Sequence, residues 1–302
     1  MTKQTKSYLS IVGLLYCSVI LGTHYIVTKQ ISSYVDASML TAYRFLIAAI
    51  PLYIYILYIK KNPFQNIKPG VILGFFLWLV FILIVTGLKY TSAINTGFIS
   101  GMFFVFVPLV NYLAFKKHLK LFLMPVIILS IIGLYLLTGG LSALGLGDIL
   151  ILFSAVFTAI HLVLVGHYSK EGLDPVVVCF QQFAVVALLS VVFAFLTNKF
   201  DIFVPVSQIG PLLFLGILPT LSVFFVQMVS LKYASEITGA VLLSLQPGFA
   251  AFFSYWLGGE RFTTLQLLGG VLLFFSAIIY SFLTQGKKNI EKSDGQKIDS
   301  ID

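Results

Sequence analysis

The chain reads as an all-α polytopic membrane protein, with ten transmembrane helices arranged as two inverted five-helix repeats. Three observations predict this. The composition is 59% hydrophobic and 10% charged, against about 25% charged residues in an ordinary soluble domain. The apolar residues gather in runs of about twenty, the length at which a helix rising 1.5 Å per residue crosses a hydrocarbon layer about 30 Å thick. One short stretch also occurs twice. Leu88-Lys89-Tyr90-Thr91-Ser92-Ala93-Ile94 returns 143 residues later as Leu231-Lys232-Tyr233-Ala234-Ser235-Glu236-Ile237, identical at five of seven positions. Tyr112 and Tyr255 keep the same offset, and upstream Asp36, Arg44 and Phe45 meet Asp174, Gln182 and Phe183 at an offset of 138. Two echoes in the same order indicate one unit of about 140 residues used twice.

The apolar runs place the spans in order. The first covers Tyr8–Thr28, with Lys3 and Lys6 before it. It is too long for a signal peptide and no small-residue cleavage site follows, so it is expected to remain as a span. The second covers Ser38–Ile59 and stops at Lys60-Lys61-Asn62-Pro63. The third, Gly70–Leu88, turns through the first copy of the repeated stretch into the fourth, Ala93–Phe115. Lys116 to Lys120 closes that one, and the fifth covers Leu121–Thr138. A Gly-rich link to Gly147 joins the copies. The second set is Ile149–His167, Val176–Leu196, Ile209–Ser230, Ile237–Leu257 and Gln266–Leu283. The expected units are thus 8–140 and 147–284, followed by a disordered cytoplasmic tail over 285–302.

The net charge of +8 does not point to nucleic acid, because the Lys residues sit in connections and at the two ends. With the N-terminus inside, 14 of the 19 Lys and Arg residues fall on the cytoplasmic side, 4 fall outside, and Arg44 lies within a span. This is the positive-inside pattern. It predicts a multi-pass protein of the cytoplasmic (inner) membrane with both termini cytoplasmic. Five spans separate the two copies of the repeated stretch. Five is odd, so the copies lie on opposite faces and the units are inverted, the arrangement in which many secondary transporters rock two halves around a site near the midplane.

These features resemble the drug/metabolite transporter superfamily, in its ten-span group with two EamA domains. The resemblance covers about residues 8 to 284. It is carried by the two repeated hairpins, by Arg44-Phe45-Leu46 and by Leu257-Gly258-Gly259-Glu260. The chain departs from the family pattern at Leu21-Gly22, where Trp-Gly is usual, and at Lys116-Lys117, where Gly-Glu is expected before the fifth span. The resemblance implies a cavity lined by spans one, three, four, six, eight and nine.

Polar groups within spans are costly and therefore mark candidate binding residues. His24 and His161 are equivalent at an offset of 137. Ser154, Thr158 and His161 form a polar stripe on the sixth span. Thr220 and Gln227 repeat it on the eighth, beside Pro219, which frees a backbone carbonyl. Asn95 and Gln246 add amides, and Trp78 offers a large ring for stacking. Arg44 suits an anionic group through its planar fork, or it snorkels to the interface or pairs with Asp36. Gly97 and Gly101 predict close helix packing within one chain rather than dimerisation. Cys17 and Cys179 read as small buried apolar residues.

No cofactor or metal ligand set appears, and no phosphate-binding loop for ATP. Gly145-x-Gly147 lacks the context of a nucleotide fold. Nothing in the sequence pairs a nucleophile with a base, so a membrane-embedded lipid-handling enzyme is a weaker alternative. Span centres carry no carboxylate, which weakens a proton-coupled exporter of drugs or lipophilic cations. The expectation is a non-enzymatic, monomeric permease for a small polar metabolite, such as an amino acid, held in the lipid bilayer.

Overall fold

The computed structural model describes residues 3–116, 124–138, 145–234, 236–243, 245–261, 263–276 and 279. Among them every regular element is helical. The first repeat contains α1 (Lys3–Ser32), α2 (Ala37–Tyr58), α3 (Ile67–Gly87), α4 (Ala93–Gly101), α5 (Phe103–Phe115) and α6 (Met124–Thr138). The second contains α7 (Leu146–Tyr168), α8 (Pro175–Leu196), α9 (Val206–Gly216), a π-helical turn (Ile217–Ser222), α10 (Val223–Leu231), α11 (Glu236–Leu243), α12 (Gln246–Gly258) and α13 (Thr264–Ser276). Among the described residues seven segments are long and apolar enough to cross a membrane; α6 and α13 are shorter apolar helices. The ten expected spans map onto these elements. The fourth and ninth, expected as single helices, are each divided into two, and the eighth passes from α9 through the π-turn into α10. Parts of the fifth and tenth spans, most of the link between the copies, and the tail lie outside the described residues.

Contacts between connections sort them onto two faces. On the amino-terminal face Lys6 lies 5.2 Å from the Tyr233 ring centre, and Lys61 pairs with Asp174. The Gln181 side-chain amide there donates to the carbonyls of Pro63 and Gln65, at 3.0 and 2.8 Å. On the other face Lys89 and Lys199 lie 3.4 and 3.7 Å from Asp36. The hairpins bearing Tyr233 and Lys89 therefore sit on opposite faces, and the repeats are inverted.

The helices α2 and α8 make this inversion explicit. Each begins with an Asp whose carboxylate accepts a backbone N–H two residues on: Asp36 from Ser38 and Asp174 from Val176, both at 2.9 Å. Each ends at a left-handed residue, Lys60 or Asn198, with φ of 54° in both. The next residue, Lys61 or Lys199, reaches the Asp that starts the other helix. The two helices pack together, run antiparallel, and are tied at both ends. Burial alone would raise both carboxyl pKa values. For Asp36 the Ser38 N–H, Lys89 and Lys199 outweigh it and hold the value below its usual 3.8. For Asp174 the Lys61 ammonium and the Val176 N–H do the same. Arg44 has no part in this: the pairing with Asp36 that its sequence position suggested is taken by the two lysines.

Outward-facing Leu113, Leu188 and Phe195 are 69, 63 and 57% exposed, as expected of a lipid-facing surface without a hydrophobic drive to cover it. Small residues bring the halves together instead. A Cβ on Gly97 would collide with Ala250, and one on Gly101 with Pro247. The Gly-x-x-x-Gly step thus seats α12 against α4 within one chain.

Candidate functional site

Spans four and nine break in mid-membrane at equivalent residues. The α4 helix ends before Met102 and α5 starts after it, while α12 begins after Leu245, 143 residues on. Span eight is altered by a proline. Pro219 has no N–H to offer the Leu215 carbonyl one turn earlier. The Thr220 hydroxyl takes that role at 2.7 Å, and the helix widens to a π-turn. Such turns recur at functional positions.

These irregular segments border an internal cavity of about 70 Å³, the open space at its mouth not counted. Spans one, three, four, six, eight and nine all contribute to its wall. Fourteen of the sixteen lining residues form seven repeat-related pairs. At an offset of 137 these are Leu21 with Thr158, His24 with His161, and Tyr25 with Leu162. At an offset of 143 they are Phe81 with Phe224, Ile84 with Gln227, Ser100 with Leu243, and Phe103 with Gln246. The cavity therefore lies on the pseudo-twofold axis that relates the halves. Its shape is symmetric but its chemistry is not, since most pairs match a polar residue with an apolar one.

A hydrogen-bonded chain crosses the repeats at this wall. The Gln246 side-chain amide donates to the Tyr25 hydroxyl. Tyr25 lies 2.5 Å from the Ser100 Oγ, which donates in turn to the Thr96 carbonyl at 2.6 Å. The His161 Nε2 lies 3.0 Å from the Gln182 Oε1. The Thr158 hydroxyl donates back to Ser154 at 2.8 Å. Gln227 is buried on the wall and makes no side-chain hydrogen bond among the described residues.

Behind His24 lies Arg44, 1% exposed. Its Nε donates to the Thr220 Oγ1 at 2.5 Å, and Nη2 lies 3.5 Å from the Pro219 carbonyl. Nη1 lies 3.5 Å from the His24 Nδ1, and the guanidinium carbon stands 4.4 Å from the centre of the Phe81 ring. The side chain is enclosed and does not snorkel.

Of the sequence-predicted residues, the fold brings His24, Thr158, His161, Gln227 and Gln246 together on one wall. Thr220 stands one layer back and holds Arg44. Trp78 does not reach the cavity: Leu77, Val80, Phe81 and Ile84 present one helical face, and position 78 is turned about 100° from Leu77. Its ring packs edge-on to Phe193 instead, with centres 5.7 Å apart. Asn95 lies in the first turn of α4, away from the mid-span break. Sequence reasoning missed Tyr25 and Ser100. The adjacent His24 signalled the first, and the equivalence of position 100 with Leu243, three residues before Gln246, signalled the second. Among the described residues no three His, Cys, Asp or Glu side chains gather as a metal site.

The profile of the EamA-like transporter family matches this chain twice, over residues 8–139 and 145–282. A relative from Archaeoglobus fulgidus, known as an uncharacterized transporter, is 30% identical over 270 residues, covering 89% of this chain and 84% of that one. A protein of known crystal structure superposes with a TM-score of 0.70 at 14% identity, over 94% of this chain and 99% of the other. That likeness concerns the fold alone.

Proposed function

Because the chain belongs to the EamA-like transporter family, we propose that it carries a small polar metabolite, an amino acid or a related compound, across the cytoplasmic membrane by alternating access. Both termini face the cytoplasm in this reading, and the gradient of the substrate itself drives its movement. The observation that carries the proposal is the placement of the cavity on the axis between inverted repeats. A site on that axis is related in the same way to both faces, so exchanging the conformations of the two halves exposes it to one side and then the other.

The wall supports a metabolite of mixed character. Apolar side chains such as Leu77, Phe81, Ile84 and Phe224 supply most of it, and His24, His161 and Gln227 supply a few directed polar contacts. A few oriented polar groups in an apolar pocket are the usual basis of small-molecule selectivity. Breaks in spans four and nine provide places where the halves bend. No carboxylate lines the cavity among the described residues, which supports a facilitator rather than a proton-coupled exporter of lipophilic cations.

The test is uptake into liposomes by purified protein against a panel of labelled amino acids and related metabolites, with and without an imposed pH gradient. Saturable, protein-dependent equilibration that the gradient leaves unchanged is the expected result. Uptake indistinguishable from protein-free liposomes across the panel refutes transport of this class. Accumulation driven by the gradient refutes the facilitator.

A further inference from the structure

Among the described residues Arg44 is a buried cation without a buried anion. Its partners are a hydroxyl, a carbonyl, an imidazole nitrogen and an aromatic face. Among the described residues no carboxylate pairs with it, since Asp36 is occupied by Lys89 and Lys199. A guanidinium in such surroundings stays charged, and an enclosed charge without a counterion is costly. The second repeat shows that the fold does not require this charge. His161 stands where His24 does, Gln182 stands where Arg44 does, and those two side chains meet as a neutral pair at 3.0 Å. The same niche is filled by an amide in one half and a cation in the other.

Hydrogen-bond chemistry assigns the ring nitrogens. A guanidinium only donates, so the His24 Nδ1 facing it accepts, and Nε2 carries the proton. His24 lines the cavity and so offers one N–H donor with a positive charge directly behind the ring. An amide oxygen only accepts, so the His161 Nε2 donates to Gln182, and the neutral ring keeps Nδ1 as an acceptor. The two halves of the cavity are thus opposite in character. One offers a donor backed by a cation. The other offers an acceptor beside the free amide of Gln227.

Resting on the transport reading of this same cavity, we infer that the metabolite carries a carboxylate, bound at His24 with the Arg44 charge behind it. A zwitterionic amino acid meets both halves at once, with its carboxylate at the first and its ammonium toward the His161 Nδ1 and Gln227. An amine lacking the carboxylate meets like charge at His24 with nothing to offset it. Arg44 acts here through His24 as a positioning and charge-setting residue.

The experiment measures binding by calorimetry to purified protein at neutral pH, using two matched pairs of probes. These are 3-phenylpropionate with 3-phenylpropionamide, and L-leucine with L-leucinamide. In wild type at least one acid is expected to bind about tenfold to a hundredfold more tightly than its amide, as charge-assisted hydrogen bonds allow. Arg44→Gln, which copies the arrangement of the second repeat, is expected to bring that ratio close to one while the melting temperature stays near wild type. A purely structural role for Arg44 would lower stability and leave the ratio alone. If Arg44→Gln does not fold, Arg44→Lys decides: the lysine keeps the charge and is expected to keep a preference for the acid. The inference is overturned if neither acid outbinds its amide in wild type, including by absence of any binding. It is equally overturned if Arg44→Gln leaves the ratio unchanged, or if folded Arg44→Lys loses it. Uptake by liposomes separates the two readings. Acid binding without transport sinks the transporter and spares this inference, whereas uptake of neutral or cationic metabolites with no acid preference does the reverse.

Discussion

Replacing Glu260 by alanine removes a clamp that joins the two repeats on the face opposite the N-terminus. Its carboxylate accepts the backbone N–H groups of Ala93 and Ile94, each at 3.0 Å, and lies 2.8 Å from the Lys29 ammonium. Those N–H groups open α4, and the first turn of a helix has no internal acceptor for them. Ser92 takes the next donor, from Asn95, at 2.9 Å. Glu260 is aimed by the end of α12. Gly259 adopts the left-handed conformation with φ of 63°, and the Glu260 N–H returns to the Ser254 carbonyl at 3.2 Å. Loss of a capping side chain costs about 1–2 kcal/mol, and loss of an anion at the positive end of a helix costs about 0.5 kcal/mol more. The Lys29 pair adds less than about 1 kcal/mol, because the side chain of Lys29 is 35% exposed and solvent screens it. Glu260→Ala is therefore expected to lose about 2–3 kcal/mol, and Glu260→Gln, which keeps an acceptor but no charge, about 1 kcal/mol. The assay is thermal melting in detergent, with hydrogen exchange followed at Ala93 and Ile94. A Glu260→Ala protein that melts like wild type and keeps those two amides protected would refute the clamp.

Two further outcomes are expected. The folded pKa values of Asp36 and Asp174 lie below normal, so their stabilisation is fully present above the unfolded value of about 3.9 and fades as pH falls through the lower folded values. Asp174→Asn should melt below wild type at neutral pH, the gap closing toward pH 2–3; a gap that persists there means the carboxylate charge is not what stabilises. For topology, single cysteines at Lys89 and Lys232, in a background lacking Cys17 and Cys179, should label from opposite sides of the membrane with an impermeant reagent, and labelling from one side would contradict the inverted repeat.

Much of the architecture was legible because a bilayer imposes a length on every apolar run, and the repeated hairpins carried the inversion without any coordinates. The same offsets pair His24 with His161 and Ile84 with Gln227 on the cavity wall. What stayed hidden depends on direction rather than spacing. Trp78 was attractive as a large ring on a cavity-lining span, but one residue of helix turns it about 100° away from Leu77. The break at Met102 has no proline to announce it, whereas Pro247 sits beside the equivalent break in span nine.

Arg44 is the clearest case of a residue whose neighbours in sequence mislead. Asp36 precedes it by eight residues, about 12 Å along a helix, too far for a pair without a long detour of both side chains. Its actual partners come from spans one, three and eight, brought close by packing that no local pattern encodes. The clue available beforehand was the repeat itself. Position 182 holds glutamine where position 44 holds arginine, and each stands beside a histidine that the repeat also pairs. A fold that builds the same niche twice supplies its own control, because any feature present in one half and absent from the other is not demanded by the architecture. Positions that differ between the halves are therefore not dictated by how the halves pack. By that criterion the charge on Arg44, the amide of Gln227 and the Gln246–Tyr25–Ser100 chain are features that the repeated architecture does not demand, whereas the paired phenylalanines Phe81 and Phe224 belong to the frame both halves share.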